Sequence, residues 1–141
     1  MKRILGTFAA AAAVFSSGYW LGNVRTARAD ADRVFELRTY TATPGNLEAL
    51  KTRFRDHTIR LFNKHGMTSI GYWVPMDEPN SANTLIYLLA HKDRESAAAA
   101  WTAFRADPEW VKARADSEKN GRITEKVESV FLTPTDFSQM K

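Results

Sequence analysis

Residues 34–47 carry the feature that most constrains the fold, because a strand pattern passes there directly into a helix pattern. Over residues 33–41 the side chains alternate between two sides, which is typical of a β-strand with one face against a core. One side of this strand carries Phe35, Leu37 and Thr39, and the other carries Glu36, Arg38 and Tyr40. We therefore predict a first strand whose larger polar side chains lie on the face that the core leaves uncovered.

A helix pattern follows the strand at once. Thr43 is a suitable N-cap, and Pro44 suits the first helical position, which tolerates proline. Apolar residues then recur at steps of three and four up to Gly66, which predicts an amphipathic helix. The stripe consists of Leu47, Leu50, Phe54, His57 and Leu61. We therefore expect the ring of His57 to face the sheet.

The rest of the chain predicts two strands, a divided helix and a final strand. Residues 67–76 and 84–92 are rich in β-formers and flank a turn-rich spacer, which favours a hairpin. Asp93 and Asp107 suit the N-caps of two consecutive helical segments, and residues 123–132 form the last strand. The order β-α-β-β-α-β predicts an α+β fold, the ferredoxin-like arrangement of an antiparallel sheet with helices on one face. We expect a second copy to pack on the other face and enclose an inter-sheet cavity.

Four sequence elements resemble the NIPSNAP family, within the broader group of dimeric α/β-barrel proteins. They are Phe35-Glu-Leu-Arg-Thr-Tyr40 with Thr43-Pro-Gly45, the strand Gly71-Tyr-Trp73, the helix junction from Trp101 to Trp110, and the tail from Phe131 to Ser138. The resemblance spans nearly all of the chain after the leader and implies a dimeric, ferredoxin-like subunit. It implies no established activity, since the wider superfamily includes cofactor-free monooxygenases and haem-binding enzymes.

The first 29 residues have the composition of an export signal, with a basic start, an apolar run and no acidic residue before Asp30. Small residues precede both Asp30 and Asp32, as a signal peptidase requires, so we predict a periplasmic or secreted protein. Two alternatives stay open, an uncleaved membrane anchor over residues 4–24 and a transit peptide. We divide the chain into this leader, residues 1–29, and one domain, residues 30–141.

The formal charge of +4 arises in the leader, which holds four basic residues and no acidic ones. The domain from Asp30 onward is therefore neutral, and the argument for a nucleic-acid partner disappears. The absence of cysteine excludes disulfides and thiolate metal sites. No two histidines have the spacing of a helical metal site, and the motif of dinucleotide-binding loops is missing. We expect neither a metal nor a cofactor.

The candidate ligand-binding residues are polar and aromatic positions of the predicted sheet. They are Glu36, Arg38, Tyr40, Tyr72 and Trp73. Arg38 and Tyr40 suit a carboxylate or an enolate-like oxygen, because a guanidinium donates two parallel charge-assisted hydrogen bonds. In the alternative interpretation, Glu36 and Arg38 form a structural pair across the sheet or the dimer interface.

The histidines and tryptophans have both structural and functional interpretations. His57 is a candidate general base, with a core or edge histidine as the alternative. His65 and His91 stand at element ends, where capping or surface roles are expected. Trp101 and Phe104 have core spacing, with pocket lining as the alternative.

Two functions of different classes follow from these residues. The first is an exported homodimer that binds a small apolar or carboxylated molecule between its sheets, without nucleic acid, and that meets a membrane only if the leader is uncleaved. The second is a small cofactor-free oxidoreductase or isomerase with His57 as base. We favour the first, because the sequence offers only one candidate base.

Overall fold

The computed structural model describes residues 33–141, so the predictions for the leader lie outside the described residues. Three helical segments follow one another in the first helical region, and two capped helices form the second. The elements are β1 (Val34–Ala42), α1 (Leu47–Arg53), a π-helical turn (Phe54–Thr58), α2 (Ile59–Lys64), β2 (Thr68–Trp73), a 3-10 turn (Asn80–Ala82), β3 (Thr84–His91), α3 (Arg94–Ala106), α4 (Pro108–Ser117) and β4 (Thr124–Leu132). No helix within residues 33–141 is long and apolar enough to cross a membrane.

The four strands form one antiparallel sheet in the order β2-β3-β1-β4. β1 and β3 lie at the centre, where Leu37 pairs with Leu88 and Arg38 pairs with Tyr87. The helices pack on one face of this sheet, which confirms the predicted ferredoxin-like α+β fold and the β2-β3 hairpin. We call the other side, which no described helix covers, the open face.

The two sides of β1 face in the opposite directions to those predicted, since its polar side lies against the helices. The indole Nε1 of Trp101, on α3, donates to Glu36 Oε2 at 2.7 Å. The Tyr40 ring packs edge-on against Phe54, with 5.6 Å between ring centroids. Glu36, Arg38 and Tyr40 therefore face the helices, and Leu37 lies on the open face. The prediction assumed that polar side chains avoid the covered face, whereas here they are buried together with hydrogen-bond partners, which removes the penalty of burial.

The first helix begins at Leu47, later than predicted. Asn46 occupies the N-cap position, and Gly45 has φ +77°, a backbone conformation that favours glycine. Thr43 Oγ1 donates to the carbonyl of Arg122 at 2.7 Å and so ties the loop after β1 to the loop before β4. Residues 43–46 are therefore a turn, and the proposed N-cap at Thr43 is wrong.

The π-helical turn changes which residues of the first helix reach the core. Thr58 is buried, and its hydroxyl donates to the carbonyl of Arg53 at 3.2 Å. His57 is exposed, because the wider turn brings Thr58 to the position that a regular α-helical repeat gives to residue 57. The expectation that His57 faces the sheet is wrong for this reason.

Both predicted aspartate caps are confirmed. Asp93 Oδ1 accepts from the backbone N–H of Ser96 at 2.6 Å, and Asp107 Oδ1 accepts from that of Glu109 at 2.8 Å. Asp107 Oδ2 also lies 2.8 Å from Lys64 Nζ. The hydrogen bond from Lys64 is the first cause of a lowered Asp107 pKa. The carboxylate therefore joins the start of α4 to the end of α2.

Aromatic rings form most of the core between the helices and the sheet. Phe62 lies at its centre, with ring centroids 5.8 Å from Tyr87, 5.4 Å from Trp101 and 5.0 Å from Phe104. Such edge-on and tilted contacts add to the free energy of burying the rings. The expected core packing of Trp101 and Phe104 is confirmed, since both are buried.

Candidate functional site

A cleft of about 380 Å³ opens between the helices and the β1-β4 side of the sheet. β1 contributes Arg38 and Tyr40 to it, and α1 contributes Arg53. Its other lining residues are Trp101, Phe104, Arg105, Trp110, Arg114, Glu118, Arg122, Thr124, Glu125 and Val127. The cleft therefore combines flat aromatic walls with an unusual number of arginines.

Arg38 is held rigidly at the inner part of the cleft. Its Nη1 donates to Glu36 Oε1 at 2.6 Å, and its guanidinium lies over the Trp101 ring, 4.1 Å from the ring centroid. Stacking and a charge-assisted hydrogen bond together fix the plane of the guanidinium. The remaining N–H groups of Arg38 are then oriented before any ligand arrives.

Glu36 lies behind Arg38 and holds it in position, and both oxygens of its carboxylate accept hydrogen bonds. Oε1 accepts from Arg38 and from Ser129 Oγ at 2.7 Å, and Oε2 accepts from Trp101 and from His91 Nε2 at 2.9 Å. Burial alone would raise the pKa of Glu36, but the hydrogen bonds from His91, Trp101, Ser129 and Arg38 outweigh it and lower the pKa to about 2. An ionised carboxylate only accepts, so His91 Nε2 carries the proton of this bond.

Arg53 is a second, almost completely buried arginine of the cleft. Its Nη1 donates to Ser117 Oγ at 3.2 Å and to Glu118 Oε1 at 3.1 Å, at the end of α4. Its Nη2 donates to Thr124 Oγ1 on β4 at 3.4 Å. The guanidinium also lies 5.3 Å from the Trp110 ring centroid. Arg53 therefore joins α1, α4 and β4 around the cleft.

The mouth of the cleft carries an excess of positive charge. Arg105, Arg114 and Arg122 are exposed there, whereas the acidic residues of the lining are Glu118 and Glu125. Within the described residues, ion pairs engage Arg114 but neither Arg105 nor Arg122. The domain as a whole is neutral, but arginines are concentrated at the mouth of the cleft, where they favour the binding of an anion.

The predicted ligand-binding residues separate into two places. Arg38 and Tyr40 line the cleft, and Glu36 lies behind Arg38 and supports it. Tyr72 and Trp73 line a second groove of about 240 Å³ beside the first helix. The inter-sheet location is wrong for Arg38 and Tyr40, because both side chains project toward the helices. It is wrong for Glu36 and Tyr72 for the same reason, since Glu36 bonds to Trp101 and the Tyr72 ring packs against Phe54. The expected pairing of Glu36 with Arg38 is present, within one strand.

None of the three histidines lines the cleft. His57 is exposed and borders a shallow groove beside α4. His65 ends α2 and contacts Asp107 through Nε2 at 2.7 Å, consistent with a role at a helix end. His91 is buried against Glu36, so the expected surface or capping role is wrong for this residue. No group of three or more acidic or histidine side chains within residues 33–141 is arranged to bind a metal ion.

Arg53 is a site residue that the sequence does not single out, because a charged run such as Arg53-Phe-Arg-Asp56 is typical of a solvated helix face. The spacing along the helix nevertheless indicates that Arg53 is buried. Arg53 follows Leu50 by three residues, so it lies on the apolar stripe of the helix. Arginine is the basic side chain best suited to such burial, because its guanidinium is weakly hydrated and forms several directed hydrogen bonds.

Comparison with known proteins agrees with this architecture. The family model described as NIPSNAP matches residues 35–139, which is most of the chain. The chain belongs to the NIPSNAP family. Among curated proteins, none shows significant sequence similarity to this NIPSNAP protein.

Solved structures share the fold. An uncharacterised NIPSNAP-like domain protein from Burkholderia xenovorans is 21% identical, with TM-score 0.66, and the match covers 77% of this chain and 90% of that one. A NIPSNAP family protein of unknown function from Agrobacterium tumefaciens is 22% identical, with TM-score 0.67, and coverage of 79% and 96%. SnoaB, a cofactor-independent oxygenase from Streptomyces nogalater, is 14% identical, with TM-score 0.51, and coverage of 77% and 99%. At these identities the likeness concerns the fold alone.

Proposed function

We propose that this NIPSNAP protein is a homodimeric binding protein whose cleft between helices and sheet holds a small, flat, anionic molecule. The observation that carries the proposal is Arg38, which Glu36 and Trp101 fix in place on one wall of an arginine-lined cleft. Arginine binds carboxylates through parallel N–H groups, and aromatic walls suit a planar ligand. A volume of about 380 Å³ lies within the usual range for small-molecule sites.

A binding role fits the chemistry of the cleft better than a catalytic one. A general base must reach the proton that it removes, and His57 borders a different groove. Of the two lining carboxylates, Glu118 is paired with Arg53 and Arg114, and Glu125 is exposed to solvent at the mouth. The arginines supply positive charge and hydrogen-bond donors, which bind an anion without transferring a proton.

Replacement of Arg38 by glutamine is expected to weaken binding of an aromatic carboxylate at least tenfold, because charged hydrogen bonds contribute about 1.5–3 kcal/mol. The measurement is a titration of tryptophan fluorescence with para-acetylbenzoate, since Trp101 and Trp110 line the cleft. Arg55→Gln is the matched control, because Arg55 is exposed and lines the second groove. Equal affinity of the two variants would show that Arg38 is not the anchor.

The dimer is proposed to form through the open face. Leu37 lies between Leu88 and Val130 there, in a row of apolar residues across three strands. Val130 is 54% exposed, and Leu132 at the end of the same strand is 40% exposed. Lys126 and Glu128 lie on this face as an exposed pair, and opposite charges side by side suit a two-fold interface. A second copy removes this apolar row from water.

Leu88→Glu is expected to give a folded monomer at concentrations at which the wild type is a dimer, because the substitution places a charge in the centre of the apolar row. Light scattering measures whether the variant is a monomer, and the far-ultraviolet circular dichroism spectrum measures whether it is folded. Val111→Glu is the control, since Val111 is 55% exposed but lies on α4. A dimeric Leu88→Glu variant would place the interface elsewhere.

A further inference from the structure

The charges around the cleft do not cancel. Five of its lining residues are arginines and two are glutamates. Glu36 adds a third carboxylate behind Arg38, at 2.6 Å, and this carboxylate is ionised because its pKa is lowered to about 2. The cleft, counted together with Glu36, therefore has two more positive charges than negative ones. A bound molecule with two negative charges neutralises the cleft, whereas a molecule with one leaves a surplus.

The surplus charge lies at the mouth of the cleft. Glu36 already balances Arg38, and Glu118 lies 3.1 Å from one arginine of the cleft and 3.3 Å from another. Arg105 and Arg122 are exposed, and in the part of the chain that the structure describes no ion pair engages either of them. These two guanidinium groups are therefore available to an anionic group at the mouth.

Arg105 lies one helical turn from the ring that holds Arg38. Trp101, which stacks on the Arg38 guanidinium at 4.1 Å, precedes Arg105 by four residues on α3, so the two residues share a face of the helix. Four residues of an α-helix rise about 6 Å. α3 begins near the start of β1, because Arg94 lies 4.3 Å from the ring centroid of Phe131, which pairs there. The step from Trp101 to Arg105 therefore leads toward the end of β1.

Arg122 is held at the same end of the cleft. Its carbonyl accepts from Thr43 Oγ1 at 2.7 Å, and the backbone N–H of Thr43 donates to the carbonyl of Ile123 at 3.2 Å. Thr43 directly follows β1, so Arg122 lies beyond the end of the strand, whereas Arg38 lies near its middle. Arg105 and Arg122 thus lie in the same direction from Arg38.

We propose that Arg105 and Arg122 bind a second carboxylate of the molecule that Arg38 anchors. This inference rests on the proposed function. The ligand class is an aromatic dicarboxylate with its two carboxylates at opposite ends of one ring, because a para-substituted benzene ring separates them by about one helical turn. The aromatic walls of the cleft, which include Trp101 and Trp110, suit the ring between the two charges.

The test compares two probes that differ in one charge. Terephthalate carries two carboxylates, and para-carbamoylbenzoate has the same shape with an uncharged amide in place of one of them. In isothermal titration calorimetry at low ionic strength, the wild type is expected to bind terephthalate about fivefold more tightly, a moderate factor because the arginines of the mouth are exposed. The preference is expected to shrink in 1 M salt, where the Debye length is about 3 Å.

Substitution of the arginines of the mouth tests which residues bind the second carboxylate. In the double variant Arg105→Gln/Arg122→Gln, the affinities for the two probes are expected to lie within about twofold of each other. The affinity for para-carbamoylbenzoate is expected to stay close to that of the wild type, since its carboxylate contacts Arg38. Arg55→Gln/Arg94→Gln is the matched control, because it removes two exposed arginines outside the cleft. This control is expected to retain the fivefold preference.

The outcomes distinguish this inference from the proposed function. If the wild type binds the two probes equally and Arg38→Gln weakens the binding of both, the second carboxylate site is overturned while the cleft remains an anion site. If the double variant at Arg105 and Arg122 keeps the full preference, these residues do not bind the second carboxylate and the assignment is also overturned. If neither probe binds to the wild type, the proposed function fails and the inference fails with it.

Discussion

Glu36→Gln is expected to lower the free energy of unfolding at pH 7 by about 3–5 kcal/mol, the usual cost of breaking a buried ion pair from one side. The carboxylate accepts four hydrogen bonds, from Arg38, Ser129, Trp101 and His91. An amide has one accepting oxygen, so its NH₂ group faces two donors, and the charge of Arg38 loses its counter-charge. Urea unfolding, monitored by circular dichroism, measures the change.

Glu48→Gln is the control for that substitution. Glu48 is also paired with a cation, Lys51 at 2.5 Å, but it lies on α1 and its side chain is 78% exposed. Exposed pairs contribute about 0–1 kcal/mol, so we expect little change in the unfolding free energy of this variant. A Glu36→Gln protein as stable as Glu48→Gln would show that the buried network does not stabilise the fold.

The same network makes stability depend on acid pH. The pKa of Glu36 is lowered from 4.5 to about 2 in the folded chain, so its ionisation stabilises the fold above pH 4.5. That contribution, about 3 kcal/mol at 1.36 kcal/mol per pKa unit, is lost as the pH falls from 4.5 to 2. The stability difference between wild type and Glu36→Gln is therefore expected to narrow over this interval. A constant difference in urea titrations from pH 5 to pH 2 would contradict the lowered pKa.

Arg53→Met is expected to lower the free energy of unfolding by about 2–3 kcal/mol, because hydrogen bonds to charged groups contribute about 1.5–3 kcal/mol. Methionine preserves the apolar stem of the side chain but removes the donors to Ser117, Glu118 and Thr124. The loss is smaller than for Glu36, since Glu118 retains its contact with Arg114 at 3.3 Å. Urea unfolding of the purified variant measures it.

Arg55→Met provides the comparison, because Arg55 is exposed and lies two residues further along the chain, in the π-helical turn. Surface substitutions of this kind usually change the unfolding free energy by less than about 0.5 kcal/mol. Equal free energies of unfolding of Arg53→Met and Arg55→Met would mean that the contacts of Arg53 with α4 and β4 do not stabilise the fold.

The order of the elements could be predicted because it depends on local signals. Asp93 and Asp107 precede helices and act as caps, and the turn-rich spacer of the hairpin separates two runs of β-formers. Each of these signals lies within a few residues of the element that it starts or ends, so contacts with distant residues do not change the order of the elements. The ferredoxin-like order follows from them directly.

The direction of side chains could not be predicted in the same way, because it depends on partners far along the chain. The polar side of β1 faces the helices only because Trp101, His91 and Ser129 supply donors to Glu36. His57 lies outside the core because the π-helical turn over Phe54–Thr58 shifts the buried position to Thr58. The cleft was therefore expected on the open side of the sheet, although Arg38 and Tyr40 were identified as members of one site.

Native mass spectra of the protein purified from its own cell report both the number of subunits and the mass of any bound molecule. We expect a wild-type dimer that carries a reproducible extra mass belonging to a small carboxylate, and an Arg38→Gln dimer without that mass. An empty wild-type dimer, or an extra mass retained equally by Arg38→Gln, would contradict the claim that the arginine-lined cleft binds a small anionic molecule.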